Sequence, residues 1–172
     1  MVSISLCMIV KNEEKVIERC LRSAKNLVDE IVIVDTGSTD KTKEIVHRYT
    51  DKVYDFKWCD DFSKARNFSF SKATKEYILW LDADDVILKE DREMFISLKK
   101  NLNKKVDIVM MKYNTSYDKK GRPTFSYNRE RLIKNNNEYK WVSPVHEVIV
   151  PSGNILYSNI AISHKSEKKE YS

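Results

Sequence analysis

Residues 77–87 read YILWLDADDVI: five strand-forming residues, Tyr77 to Leu81, run straight into Asp82, Asp84 and Asp85. The apolar run should be buried, and the carboxylates should stay in solvent unless something cationic meets them. Reading outward from this stretch decides the fold. Upstream, SISLCMIV (3–10) is predicted as a first strand. In NEEKVIERCLRSAKNL (12–27), Val16, Ile17, Cys20, Leu21 and Ala24 share one helical stripe, with Asn12 as expected N-cap and Glu13 and Glu14 at the positive end of the dipole. EIVIVD (30–35) is a second strand, apolar enough to be covered on both faces. A loop and short helix follow over 37–49, a third strand over 52–56, a helix over 60–73, and then YILWLD (77–82) as fourth strand. After one more amphipathic helix (89–102) the pattern changes: 106–114, 124–134, 147–153 and 155–164 read as strands with no helix between them. The prediction is an α/β fold, a Rossmann-like, mostly parallel sheet flanked by helices, with a strand-rich C-terminal half supplying antiparallel strands and a pocket wall.

The 172 residues fit one domain, divided into a first half (1–103), a second half (104–164) and a polar tail (165–172). Only three glycines and three prolines argue against a turn-rich sandwich. No apolar run approaches the roughly 18 residues of a membrane span, and the N-terminus lacks a signal-peptide pattern. Three widely spaced cysteines, Cys7, Cys20 and Cys59, suit a reducing cytoplasm, with Cys7 and Cys20 as core residues. The formal charge of +5 permits an anionic partner, but the lysines are scattered and paired with acids, so nucleic acid is not expected.

Three polar clusters fall at predicted strand ends: Lys11–Glu14, Asp35–Asp40 and Asp82–Asp85. One could be an ordinary loop; three on one rim of a parallel sheet mark where α/β proteins bind ligands. Bunched carboxylates repel unless a cation joins them, and oxygen ligands suit Mg²⁺ or Mn²⁺ with phosphate oxygens.

The segments 3–24, 29–42, 62–85 and WVSPVHE (141–147) resemble, in order and spacing, family 2 glycosyltransferases of the A-type fold, over about Ser3 to His164. The most similar subgroup is bacterial, opens with MIVKNEE, contains DTGSTD and often carries helical repeats beyond the catalytic domain, so the chain is expected to be cut before such repeats. The resemblance implies a nucleotide-diphosphate sugar donor, with UDP-sugar expected, and Mn²⁺ or Mg²⁺ as cofactor. Asn12, Glu13 and Asp35 would hold base and ribose, with Thr36 standing where many members have a second Asp. Arg66 would contact the nucleotide, Asp82 and Ala83 lie on the donor side, and Asp84 would ligate the metal with Asp82 and His164. Glu147 would be the general base of an inverting transfer, with His146 the competing choice. Trp80 is expected in the core, while Trp141 could stack on a sugar.

Two other enzyme readings share these residues. Asp82 to Val86 satisfy the DxDx[TV] pattern of haloacid-dehalogenase-type phosphatases, with Asp82 as nucleophile, but that motif normally lies on the first strand. A nucleotidyltransferase would want a glycine-rich loop after strand one, and MIVKNEE has no glycine. A non-catalytic nucleotide-sugar-binding domain is the third reading. The acceptor, whether protein, lipid-linked sugar or polysaccharide, is not legible.

Overall fold

Seven consecutive residues, Ile4–Val10, form β1, and all but Ile9 are buried. Ile4, Leu6, Met8 and Val10 face one apolar cluster, while Cys7 joins a second cluster on the opposite side. A strand apolar at nearly every position is thus covered on both faces, as its sequence demands. The computed structural model describes residues 1–166, so the predicted polar tail lies, from residue 167 on, outside the described residues. In chain order the elements are β1, α1 (Ile17–Ala24), β2 (Glu30–Asp35), α2 (Thr42–Val46), β3 (Val53–Asp55), α3 (Phe62–Ser71), β4 (Tyr77–Trp80), β5 (Asp85–Val86), α4 (Lys89–Asn101), β6 (Ile108–Tyr117), β7 (Pro123–Lys134), β8 (Trp141–Val142), β9 (Val148–Ile149) and β10 (Ile155–His164).

Eight strands make one sheet in the order β3-β2-β1-β4-β7-β6-β10-β5. The first four are parallel, so the carboxyl ends of β1, β2 and β4 lie on one rim. β7 runs antiparallel to both β4 and β6 and knits the two halves of the chain into the same sheet. Helices α1 and α4 pack on one face through Ile17, Leu21 and Phe95. On the other face, Phe70 of α3 joins Trp80 and Trp141. No helix among the described residues is long and apolar enough to cross a membrane.

The structure corrects two expectations. Asn12 does not cap the first helix. It has φ 52°, a left-handed conformation that Asn tolerates better than most residues, and its Oδ1 accepts from Thr39 N and Asp40 N in the loop after β2. Helix α1 begins only at Ile17, after Glu13 O accepts from Val16 N and Ile17 N. The segment 147–153 contributes only Val148–Ile149, paired with Trp141–Val142 in a ribbon outside the main sheet. In the second half β7 supplies the expected antiparallel strand, while β10 runs parallel to β6. Asp85, the last acid of the turn, and Val86 form a separate short strand, β5, that pairs with the end of β10. That pairing sets His164 opposite Asp85, a contact that no local pattern announces.

At the opposite rim Glu30 is buried among Ser5, Thr74 and Lys52, accepting from Ser5 Oγ at 2.7 Å and Thr74 Oγ1 at 2.6 Å and pairing with Lys52 Nζ. Burial works to raise its pKa, but Lys52, Thr74 and Ser5 outweigh it and hold Glu30 at about 2, below its ordinary 4.5. A depressed carboxylate contributes stability that is full above 4.5 and fades as pH falls through about 2. Glu30→Gln is therefore expected to melt below the wild type at pH 7, with the gap closing between pH 4.5 and about 2. A gap independent of pH in thermal melts would remove the charge from this account.

Candidate active site

The rim where β1, β2 and β4 end opens into a cleft of about 590 Å³ lined by Val10, Lys11, Glu13, Thr36, Arg66, Asp82, Ala83, Asp84 and His164. The three predicted polar clusters thus converge. Next to the cleft lies a second hollow of about 430 Å³, lined by Arg66, Asp82, Arg129, His146 and Glu147. A hollow of about 710 Å³ between α1 and α4 lies away from these groups; its Arg19 and Arg92 already donate to the Lys165 and Ile87 carbonyls.

Arg66 joins the two spaces. Helix α3, capped by Asp61 Oδ1 accepting from Lys64 N, carries it inward to 7% exposure. Its guanidinium sits 4.9 Å from the ring centroids of both Trp80 and Trp141. Nε donates to Glu147 Oε1 and Nη2 to Asp82 Oδ1, both at 2.8 Å. A buried cation needs such partners, and two carboxylates plus two aromatic faces supply them. Trp141, 2% exposed and 4.9 Å from Trp80, is one wall of this sandwich, so it is not available to stack on a sugar.

A second arginine answers Asp85. Arg131 and Asp85 are both fully buried, with Nη1 to Oδ2 at 3.1 Å, and the guanidinium lies between Trp80 at 3.9 Å and Tyr113 at 4.4 Å. Asp85 also closes the Asp-rich turn: its Oδ2 accepts from Asp82 N, and its own N–H donates to Asp82 O. Tyr113 Oη donates to Asp85 Oδ1 and lies 3.2 Å from His164 Nδ1. One donor atom from each of Asp84, Asp85 and His164 lies within 4.8 Å of the others, and His164 Nδ1 is 3.4 Å from Asp84 Oδ1. Carboxylate oxygens with one imidazole nitrogen make a donor set that fits a divalent cation such as Mn²⁺.

The electrostatics follow from these contacts. Burial raises Asp82, but Arg66 and Arg131 outweigh it and hold its carboxyl below the ordinary range. Asp85 is pushed up, chiefly by burial, with Arg131 pulling back and Asp82 adding repulsion. Glu13 is likewise raised by burial and then by Asp84, Asp82 and Asp40. Excess negative charge remains on the side that carries Glu13 and Asp84.

Asp35 is 2% exposed; its Oδ1 accepts from Gly37 N and Ser38 N, while Oδ2 is buried without a hydrogen-bond partner among the described residues. Thr36 donates Oγ1–H to Val10 O, tying β2 to β1. Asn12 lies with Glu13 and Asp84 in a smaller adjoining recess, held by its bonds to the second loop. His146 is exposed at φ 55°, whereas the neighbouring Glu147 turns inward to Arg66.

The sequence profile described as Glycosyl transferase family 2 matches residues 5–160. The chain belongs to this family. Among its glycosyltransferase relatives, SunS of Bacillus subtilis is 32% identical over 95% of this chain and 38% of its own length. A TPR repeat-containing protein of Synechococcus elongatus is 34% identical over 87% of this chain and 36% of its own. The chain thus spans under two fifths of the length of these curated relatives. Among solved structures, S. aureus TarS in complex with UDP-GlcNAc superposes with TM-score 0.67 at 19% identity, covering 98% of this chain and 60% of that one. This likeness shows the A-type fold. Glucosyl-3-phosphoglycerate synthase of Mycobacterium tuberculosis, in complex with Mn²⁺, UDP and phosphoglyceric acid, has TM-score 0.54 at 20% identity over 65% of this chain and 43% of its own.

For this family 2 chain, the sequence reading missed Arg131, Tyr113 and Arg129. Alternation along NRERLIK places Arg129 and Arg131 on the face of Ile133, which would have marked Arg131 as a buried cation in need of an acid.

Proposed function

We propose that this chain is the donor-binding and catalytic region of an inverting, metal-dependent glycosyltransferase that takes its sugar from a nucleotide-diphosphate donor, in the first instance a UDP-sugar. The observation that carries the reading is the Arg66 bridge, which couples Asp82 at the cleft to Glu147 in the adjoining hollow at 2.8 Å on either side. Family membership supports the activity, and the UDP complexes of S. aureus TarS and of the M. tuberculosis synthase support the donor. The phosphatase and nucleotidyltransferase readings belong to other families.

Asp35, with its unpartnered buried oxygen, would take a ribose hydroxyl or base N–H, beside Asn12, Glu13 and Thr36. Arg66, Asp82 and Ala83 form the wall against which the donor lies. Asp84 and His164 would hold Mn²⁺ or Mg²⁺, backed by Asp85 and with Asp82 facing the same space. When bound, the cation neutralises charge on the departing diphosphate. Glu147 takes the proton from an acceptor hydroxyl as its oxygen bonds to the anomeric carbon, and the carbon–oxygen bond to the diphosphate breaks on the opposite face with its electron pair. Arg66 holds Glu147 in place for that step. The buried free thiols Cys7 and Cys20 suit a cytoplasmic setting.

Calorimetric titration of UDP with and without Mn²⁺ tests the donor side. The wild type is expected to bind UDP more tightly with metal, and Asp84→Asn to lose that gain. Equal binding in the two proteins at every Mn²⁺ concentration would sink the metal assignment.

A further inference from the structure

The hairpin of β6 and β7 runs out beyond the sheet. β4 pairs with β7 only at Leu132–Lys134, and β10 pairs with β6 no further than Asn114, so beyond these residues the two strands have only each other. Of the chain's 31 Lys and Arg and 26 Asp and Glu, residues 108–134 hold seven and two. The formal excess of +5 therefore falls within these residues; Arg131 and Lys134 are met by Asp85 and Asp107 from outside them, which leaves Lys112, Lys119, Lys120, Arg122 and Arg129 against Asp118 and Glu130. Lys112, Lys119 and Lys120 are exposed, and Asp118 ties Arg122 into the turn by accepting from its N–H and Nε.

One face of the same hairpin is aromatic. Phe125, Tyr127 and Arg129 are alternate residues of β7 and so share a side. Tyr127 stacks on Tyr113 with centroids 5.7 Å apart and planes 6° from parallel, and Phe125 follows at 5.8 Å. Phe125 is 58% and Tyr127 41% exposed, so both rings are open to solvent. The row starts at the site itself, because Tyr113 Oη touches Asp85 and His164. Arg129, 5.0 Å from the Trp80 ring, lines the same hollow as Glu147.

We propose that this hairpin is the acceptor-docking arm, and that the acceptor is an anionic glycan chain. This rests on reading the cleft as the donor site and Glu147 as the group that meets the acceptor. Sugar rings would lie on Phe125 and Tyr127, with carboxylates or phosphates against Arg129 inside and Lys119 and Lys120 at the tip. Flat apolar faces with cations at either end match a chain whose units each offer a ring face, a charge and hydroxyls. An acidic peptide offers charge without the ring face. Net positive charge on one arm also raises the rate at which such a chain arrives.

The test uses the full chain with oligogalacturonate (carboxylate), a phosphomannan (phosphate), neutral dextran, poly-glutamate and polyuridylate as probes, and UDP with Mn²⁺ as the donor control. Binding of at least one acidic glycan is expected, weakening as salt rises past about 0.1 M, where the Debye length is about 10 Å. Phe125→Ala should weaken it about tenfold, on the scale of one aromatic contact of about 1.4 kcal/mol. The Lys119→Glu, Lys120→Glu pair should weaken it further, with UDP binding unchanged in every variant. Dextran should not bind. Failure of both acidic glycans, or equally tight binding of poly-glutamate or polyuridylate, would overturn the proposal while UDP binding stands. A wild type that binds no UDP would instead overturn the donor reading beneath it.

Discussion

Glu147→Gln is expected to lower turnover by about 10²–10⁴-fold, the usual contribution of a positioned general base, while leaving metal-dependent UDP binding intact. The amide oxygen of Gln can still accept from Arg66 Nε, so the 2.8 Å contact and the aromatic sandwich behind it have a route to survive. What is lost is the capacity to take a proton. His146 is the control, since it is exposed and its neighbour, not it, is bonded to Arg66. His146→Ala should change turnover by less than about tenfold, a barrier change under 1.4 kcal/mol. UDP release from a UDP-sugar in single-turnover experiments reads both variants. An inactive His146→Ala beside an active Glu147→Gln would move the base by one residue.

The parallel half of the fold was legible because its signals are local. EIVIVD and YILWLD are apolar runs with acids at the end, the usual pattern of a strand buried on both faces. Helix α3, Phe62–Ser71, falls inside the helix expected over 60–73. Convergence of the three polar clusters followed from topology alone, since parallel strands put their carboxyl ends on one rim. What could not be read were contacts made at long range. Asn12 looks like a helix cap and is a strut between two loops, because its partners lie 27 and 28 residues away. Asp85 looks like the third carboxylate of a turn, yet its cation is Arg131, on a strand 46 residues later. Trp141 looks like a surface aromatic near the acceptor because nothing nearby reveals that Arg66 lies against it. The opening carboxylates were thus partly answered by the protein itself: Arg66 meets Asp82 and Arg131 meets Asp85, while Asp84, 3.4 Å from His164, is the carboxylate to which the proposed cation is assigned.

Arg131→Met is expected to be the most destabilising single change at this site, by about 3–5 kcal/mol, because it strands Asp85 as a buried carboxylate without its cation. For a chain of this length each kcal/mol moves the melting point by roughly 2–4 °C, so a drop of about 10 °C should be visible. Tyr113 Oη and Asp82 N would still donate to Asp85, but hydrogen bonds alone do not compensate a charge at zero exposure. Adding Asp85→Asn to Arg131→Met removes the stranded charge, and the double variant should recover part of the loss, a coupling that thermal melts of all four proteins measure. The direction of that recovery tests what the pair is for. Arg131 leaves Nε and Nη2 without hydrogen-bond partners among the described residues and relies on the Trp80 and Tyr113 faces instead. An incompletely satisfied buried cation contributes little net stability over apolar packing, yet it fixes Asp85, and through Asp85 the turn that presents Asp84 and the hydroxyl that touches His164. A double variant as stable as wild type, beside an Arg131→Met protein that keeps Asp85 yet is deaf to Mn²⁺ in the UDP titration, would place the value of the ion pair in the geometry of the site. A single variant within about 1 kcal/mol of wild type, the range of exposed ion pairs, would mean that the pair is far better solvated than its burial indicates.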